Sequence, residues 1–391
     1  MLKRIICLAS AVLFFMLTLC GCYDYSDIES ELIVSGLAFD LAESKSGEQL
    51  YLVTAEVVVA GGSSDGGASS KSEIIQNADK TPLAAIKGMM KCSSKKLFFG
   101  HCKLLILSEE VAKNGISNVL DLVFRDRELR FSMEIAVARD CSAYELFSVS
   151  NAMNTIKSYE IVRTVKAVEK MHGTAVSVSV NELLNCIHNG SGAVKTPYFT
   201  IEKSVDGKDL YFLGGVAVLK KDSLYGYIPS QKSIFCSLAS DEFNSGTVIC
   251  SIPSSSFPFT FNVVKSSTNI DLEKADGGGV LTFNIDLSVS FAEIPEDMPY
   301  FSYTDADSLV NQISRYVSDN VFAVVKDTFD RYGADIFNIT PKLAVFYPRY
   351  LSSFENLEKF LRTLKIKVKT NVSVEENGLS GENFYSESEN G

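Results

Sequence analysis

Cys22 is the residue whose setting most clearly prescribes a chemistry. It closes the run Leu19-Cys20-Gly21-Cys22, in which an aliphatic residue and two small ones precede a thiol. That spacing is the one a bacterial lipobox needs to place a diacylglycerol on the second cysteine. Gly21 supplies the small residue before the modified thiol, whereas Leu19 before Cys20 does not. Two acyl chains anchor stably where one does not, because each buried CH2 contributes about 0.8 kcal/mol.

The other chemistry-bearing patterns are weaker. Gly62-Ser63-Ser64-Asp65-Gly66 matches G-x-S-x-G, but a nucleophile elbow needs a strand, a sharp turn and a helix. Gly67 to Ser72 does not read as that helix, and the whole run Gly61 to Ser72 reads as a flexible Gly/Ser loop. Glu293, Glu296 and Asp297 cluster beside Pro295 and Pro299. Paired carboxylates can exchange protons, yet three acids in a proline-flanked loop read as a solvated turn. No G-x-x-x-x-G-K-[ST] loop supports nucleotide binding. His101, His172 and His188 are isolated from paired cysteines, so no zinc pattern forms. No residue set builds a nucleophile, a base and an oxyanion site together. The expectation is a non-enzymatic chain without cofactor or metal.

One constellation reads as a partner edge. Phe99 and His101 lie in Leu97-Phe98-Phe99-Gly100-His101, and Arg125 and Asp126 open a run of alternating charge through Arg127, Glu128 and Arg130. Polar groups beside apolar ones are what interface rims and cores are made of. The plainer reading is a structural histidine after a buried aromatic pair, and a surface ion-pair cluster worth little stability.

The elements that must carry these residues follow from periodicity and punctuation. Strands are expected at Ile33 to Ala38, Leu50 to Val59, Lys103 to Leu107, Met133 to Ala138 and Ala175 to Val180. Helices are expected after Thr81-Pro82, after Ser108 with an apolar face of Ile116, Val119, Leu120, Val123 and Phe124, after the Ser142/Glu145 capping box, and from Ser158 to His172 with Gly173 as cap. A short helix is read at Asn181 to Ile187, and Ser191 to Pro197 reads as a linker. Beyond it come strands at Leu210 to Leu219, Ser233 to Leu238, Thr247 to Ile252, Phe259 to Ile270 and Val280 to Ala292. A long helix then carries Leu309, Ile313, Val317, Val321, Val324 and Phe329 on one face and stops at Gly333. Lys342 to Phe346 and Lys365 to Val374 read as the last strands. The fold class is α+β: multidomain mixed sheets with helices, the C-terminal half strand-rich with one long helix. The expected division is a lipoprotein signal peptide at 1–21, an N-terminal α+β part at 22–195, a C-terminal α+β part at 210–375 and an acidic, disordered tail at 376–391.

Whole-chain properties bound the function. The 391 residues are 46% hydrophobic and 22% charged, which excludes a wholly disordered chain or a fibre. A formal charge of −11 without a basic block excludes nucleic acid as a natural partner. Ile5 to Leu19 is the one long apolar run, preceded by Lys3 and Arg4, as in a signal peptide. Cleavage before Cys22 removes those two positive charges and takes −11 to −13. Cys92, Cys102, Cys141, Cys186, Cys236 and Cys250 would then remain, sparse and without C-x-x-C spacing, and read as buried free thiols.

The order of segments resembles the Ger(x)C family, the lipoprotein C subunits of spore germinant receptors. The resemblance rests on Gly21-Cys22-Tyr23-Asp24, on the strand Ile33 to Asp40, on Lys96 to His101 followed by Leu104 to Leu107 and Glu109 to Ala112, on Phe124-Arg125-Asp126, on Gly214 to Val218 with Gly226, and on Tyr332 to Phe337. Tyr23 stands where the family often has Trp, and Cys102 where an aliphatic residue is common. The resemblance implies a receptor subunit on the outer face of the spore inner membrane, held by the diacylglycerol on Cys22 and working with membrane-spanning A and B subunits. It carries no catalytic or ligand-binding residue across. The competing readings are a solute-binding lipoprotein of an importer, which usually has two doubly wound lobes, and a lipid-anchored hydrolase, for which no site is found.

Overall fold

The computed structural model describes residues 2–18, 31–61, 69–149, 156–188, 192–243, 245–250, 258–275, 278–293, 303–354 and 356–376. Cys22, the match at 62–66, Glu296, Asp297 and the tail beyond Glu376 lie outside these residues.

Helix α1 (Leu2–Thr18) carries the N-terminal apolar run, with Leu2, Ile5, Leu8 and Phe15 exposed. No helix among the described residues is long and apolar enough to cross a membrane. Strand β1 (Glu31–Glu43) pairs antiparallel with β2 (Gln49–Gly61), which pairs with β3 (Ser69–Asp79). Val34 lies opposite Val57, Leu37 opposite Ala55 and Phe39 opposite Val53, all buried. A one-residue slip would turn this apolar set to the other face, so burial fixes the register. Helix α2 (Pro82–Met89) starts as its sequence prescribes: Thr81 Oγ1 accepts the Ala84 N–H, and Pro82 occupies the first turn.

Strands β4 (Lys96–Phe98) and β5 (Leu104–Ser108) both run parallel to β1. Ser108 caps α3 (Glu109–Asn114), and α4 (Ser117–Arg125) follows. Strand β6 (Glu134–Ala138) lies parallel to β5. The Ser142/Glu145 capping box starts α5 (Ala143–Ser148), and α6 (Lys157–His172) ends at Gly173, whose φ of 61° is the left-handed cap. Helix α7 (Val180–His188) leads to β7 (Ala193–Lys203), β8 (Asp209–Lys220) and β9 (Ser223–Pro229). The sheet order is β3-β2-β1-β5-β6-β7-β8-β9, with β4 beside β1 off that path. Its parallel centre requires helices on both faces. Leu105, Leu107, Ile135 and Val137 pack on one side with residues of α2, α3, α4 and α7, while Leu104, Ile106 and Ala136 pack on the other with α5 and α6.

The remaining chain forms α8 (Ser230–Ser240), β10 (Gly246–Cys250), β11 (Phe259–Ala275), β12 (Gly278–Glu293), α9 (Tyr303–Asp327), a π turn at Thr328–Tyr332, α10 (Ile339–Phe346), α11 (Pro348–Leu351), α12 (Leu357–Thr363) and β13 (Lys365–Glu376). The second sheet is ordered β10-β11-β12-β13, antiparallel except for the last pair. Leu309, Ile313, Val317, Val321, Val324 and Phe329 are buried against it, as their spacing requires, and Gly333 ends the run with φ 53°. The architecture is α+β with two mixed sheets.

Four sequence expectations fail for identifiable reasons. Ser233 to Leu238, expected as a strand, lies in α8. Every residue from Ser233 to Ser240 is buried, so this helix shows no polar stripe, and a short apolar run cannot separate a buried helix from a buried strand. Lys342 to Phe346 lies in α10, started by the Asp335 carboxylate, which accepts the N–H groups of Phe337, Ile339 and Thr340. Ala175 to Val180 is extended but makes only an isolated bridge, Glu134 to Ser179, before α7 begins. The expected linker at Ser191 to Pro197 gives way to β7. Pro197 lies in β7 opposite Val216 of β8, one residue before β7 begins to pair with β6 at Tyr198.

Candidate partner interface

Phe99 and His101 sit in the turn between β4 and β5, and Arg125 and Asp126 end α4. Glu128 joins the two segments. Its carboxylate pairs with Lys96 Nζ at 2.7 Å and accepts the Phe99 N–H at 3.4 Å, while its own N–H donates to Asp126 Oδ1 at 2.8 Å. The sequence placed Phe99 on the contact surface. The structure places it in the core, 6% exposed, so its ring offers a partner nothing. His101 is exposed, with its ring edge-on to Phe98 at 5.8 Å and its carbonyl accepting the Tyr159 hydroxyl at 3.3 Å. Arg125 Nε donates to both Asp121 oxygens, at 2.8 and 2.9 Å, an i,i+4 pair on the outer face of α4.

Phe124 is the residue that helical spacing mislaid. It was expected in the buried face with Val123, but it is 67% exposed and stacks on Phe131 at 6.1 Å. Spacing alone points inward, since Phe124 lies four residues after the buried Leu120; in the last turn of α4 its ring instead meets Phe131. Leu83 of α2, also exposed, and Asp121, Arg125 and Asp126 of α4 line a cleft of about 330 Å3. The edge therefore combines aromatic and aliphatic surface with charges of both signs.

A second concavity lies past the carboxyl ends of β1, β5 and β6, where open sheets with parallel strands commonly receive ligands. Asp40, Ser108, Glu109, Glu110, Asp140, Cys141 and Tyr144 line about 340 Å3. Asp40 is accounted for structurally: its carboxylate accepts the Ala143 and Tyr144 N–H groups at 2.7 and 3.0 Å and so caps α5. Burial raises its pKa, and those two amide bonds oppose the rise. Burial also pushes the Cys141, Cys102 and Cys236 thiols up to about 12, which keeps them protonated and poorly nucleophilic. Of the six cysteines expected to be buried, Cys102, Cys236 and Cys250 are, whereas Cys141 and Cys186 are half-buried and Cys92 is exposed. Among the described residues no group of three or more His, Cys, Asp or Glu side chains is disposed to hold a metal.

Comparison with known proteins decides the family. Residues 24–201 match the profile described as spore germination protein N-terminal domain, and residues 214–378 match that described as spore germination B3/GerAC like, C-terminal. The chain belongs to this spore germination family. Among its Bacillus subtilis (strain 168) relatives, spore germination protein KC is 25% identical over 230 residues, 56% of this chain. That match spans 55% of KC, about half its length. Spore germination protein B3 is 23% identical over 349 residues, covering 87% of this chain and 89% of its own. The crystal structure of the GerBC protein shares the fold, with a TM-score of 0.58 and 16% identity over 88% of this chain and 98% of that one. In this spore germination protein the two matched regions meet inside the first sheet. The first ends in β7 and the second begins in β8, an antiparallel neighbour of β7.

Proposed function

We propose that this chain is a lipid-anchored, non-enzymatic subunit of a spore nutrient-germinant receptor. It sits on the outer face of the spore inner membrane and acts through membrane-spanning A and B subunits. What supports the reading is the pair of spore germination regions, in order, over nearly all of the sequence after Cys22. The importer alternative expects two doubly wound lobes, and the mostly antiparallel second sheet is not one.

In this reading Cys22 carries the diacylglycerol, and His101, Phe124, Arg125 and Asp126 face a partner. Deleting the gene should lower germination with a particular nutrient and leave sporulation intact; normal germination with every nutrient tried would defeat the reading. Arg125→Glu with Asp126→Lys should slow germination at unchanged protein abundance. A wild-type rate at normal abundance would remove these residues from the interface. Cys22→Ala should abolish incorporation of labelled fatty acid, and unchanged labelling would remove the anchor.

A further inference from the structure

The corner formed by α10 and α11 presents a second, different surface. Ile339 and Leu343 turn inward and are buried, whereas Val345 and Phe346 are 76% and 75% exposed. Large apolar side chains this bare at the end of a helix are left uncovered by the described residues. The corner is rigidly backed. Tyr350 Oη donates to the Ala275 and Gly278 carbonyls at the β11–β12 end, and Lys274 Nζ lies 4.6 Å from the Tyr347 ring centroid and 5.7 Å from that of Tyr350.

Within the corner's own segment the charge has one sign, with Asp335 and Glu355 the nearest acids in sequence on either side. Residues 339–354 hold Lys342 and Arg349 and no carboxylate, in a chain of net charge −11. Lys274 adds a third cation from β11. Its neighbour Glu273 points to the opposite face of the strand by the alternation of successive side chains. Glu358, the nearest described carboxylate further along the chain, is occupied by Lys220 and Arg362.

We infer that the α10–α11 corner is a membrane-contact point, with Val345 and Phe346 entering the headgroup–acyl boundary of an anionic bilayer while Lys342, Arg349 and Lys274 meet its phosphates. Aliphatic and aromatic side chains at the tip, tyrosines behind them and cations alongside form the composition of an interfacial anchor. An anionic surface attracts each such cation and repels the acidic remainder, so the corner also sets which way the molecule faces. The inference stands on this corner and not on the receptor reading.

The chain contains no tryptophan, which makes a direct test available. Phe346→Trp in the full chain should give an emission maximum that moves to the blue on adding vesicles of phosphatidylcholine with one quarter phosphatidylglycerol. Lipids brominated high on the acyl chain should quench it. Val205→Trp, at a fully exposed position between β7 and β8, should remain red and unquenched, which separates insertion of the corner from tethering by α1. Adding Lys342→Glu and Arg349→Glu should abolish the blue shift. Should Phe346→Trp lower the melting temperature, Val345→Trp takes its place. An emission maximum at the corner that ignores vesicles overturns the inference and leaves a protein partner as the occupant. Equal quenching at the two positions overturns it as well.

Discussion

Glu358 stays ionised because Lys220 Nζ lies 2.8 Å from its carboxylate, with Arg362 adding a second cation at 3.0 Å. These contacts lower its pKa below the ordinary 4.5. A depressed carboxyl pKa contributes stability that is complete above about pH 4.5, the unfolded value, and is lost as pH falls through the folded value. Glu358→Gln should therefore melt below wild type at pH 7 and converge with it in acid; a gap that persists at pH 2 would refute this account. Glu56 has no such exposure. Its buried carboxylate accepts the Ser35 hydroxyl and the Lys157 and Ser158 N–H groups, so a side chain from β2 caps the start of α6. Glu56→Ala should cost about 3 kcal/mol, because buried donors lose a charged acceptor, and urea denaturation measures it. Single-residue facts of this kind were unevenly legible. The Ser142/Glu145 box is local and could be read directly, whereas the cap from Glu56 spans about a hundred residues and leaves no spacing to find. Gly214 and Gly215 stood out only by resemblance. The structure supplies the reason: the Tyr198 ring passes where a Gly214 side chain would sit, and Gly215 adopts φ 135° against the Ile228 carbonyl.

Helix α9 was readable because it is half exposed. Val317 and Val321 are fully buried one turn apart, while Asp319 faces solvent, so the sequence alternates as a surface helix must. Val317→Asp should cost about 3–5 kcal/mol, as an unpaired buried charge does. Asp319→Asn should stay within about 0.5 kcal/mol. Equal melting temperatures for the two variants would contradict the assigned face. Helix α8 was unreadable for the converse reason. It is enclosed, with Ser233 and Ser237 donating to the Thr174 and Gly173 carbonyls, so even its serines point at protein. Strand β3 was missed for a third reason. It is a polar edge, Ser69–Asp79, whose partners are the backbone groups of β2 rather than an apolar face of its own.

At the scale of the molecule, the two sheets do not separate cleanly. Ala193, Val216, Val218 and Ile228 of the first sheet belong to the same core as Phe259, Phe283 and Val317 of the second part, with α8 between them. Lys195 of β7 reaches Ser240 and Glu242 at the end of α8, and Lys220 of β8 reaches the Tyr332 carbonyl and Glu358. Thermal unfolding should then appear as one calorimetric transition with equal van't Hoff and calorimetric enthalpies. Two resolved peaks would show that the shared core is weaker than its contents suggest. The sheet order also sets a timetable for synthesis. Strand β6 lies between β5 and β7, yet β7 ends only at Lys203. At ~5–20 residues per second, the roughly 65 residues after Ala138 take roughly 3–13 s to appear. For that interval the newborn chain offers the Glu134–Ala138 edge, apolar and unpaired, to any other chain nearby. Until its own β7 arrives, that edge is the place where a neighbouring nascent chain would pair.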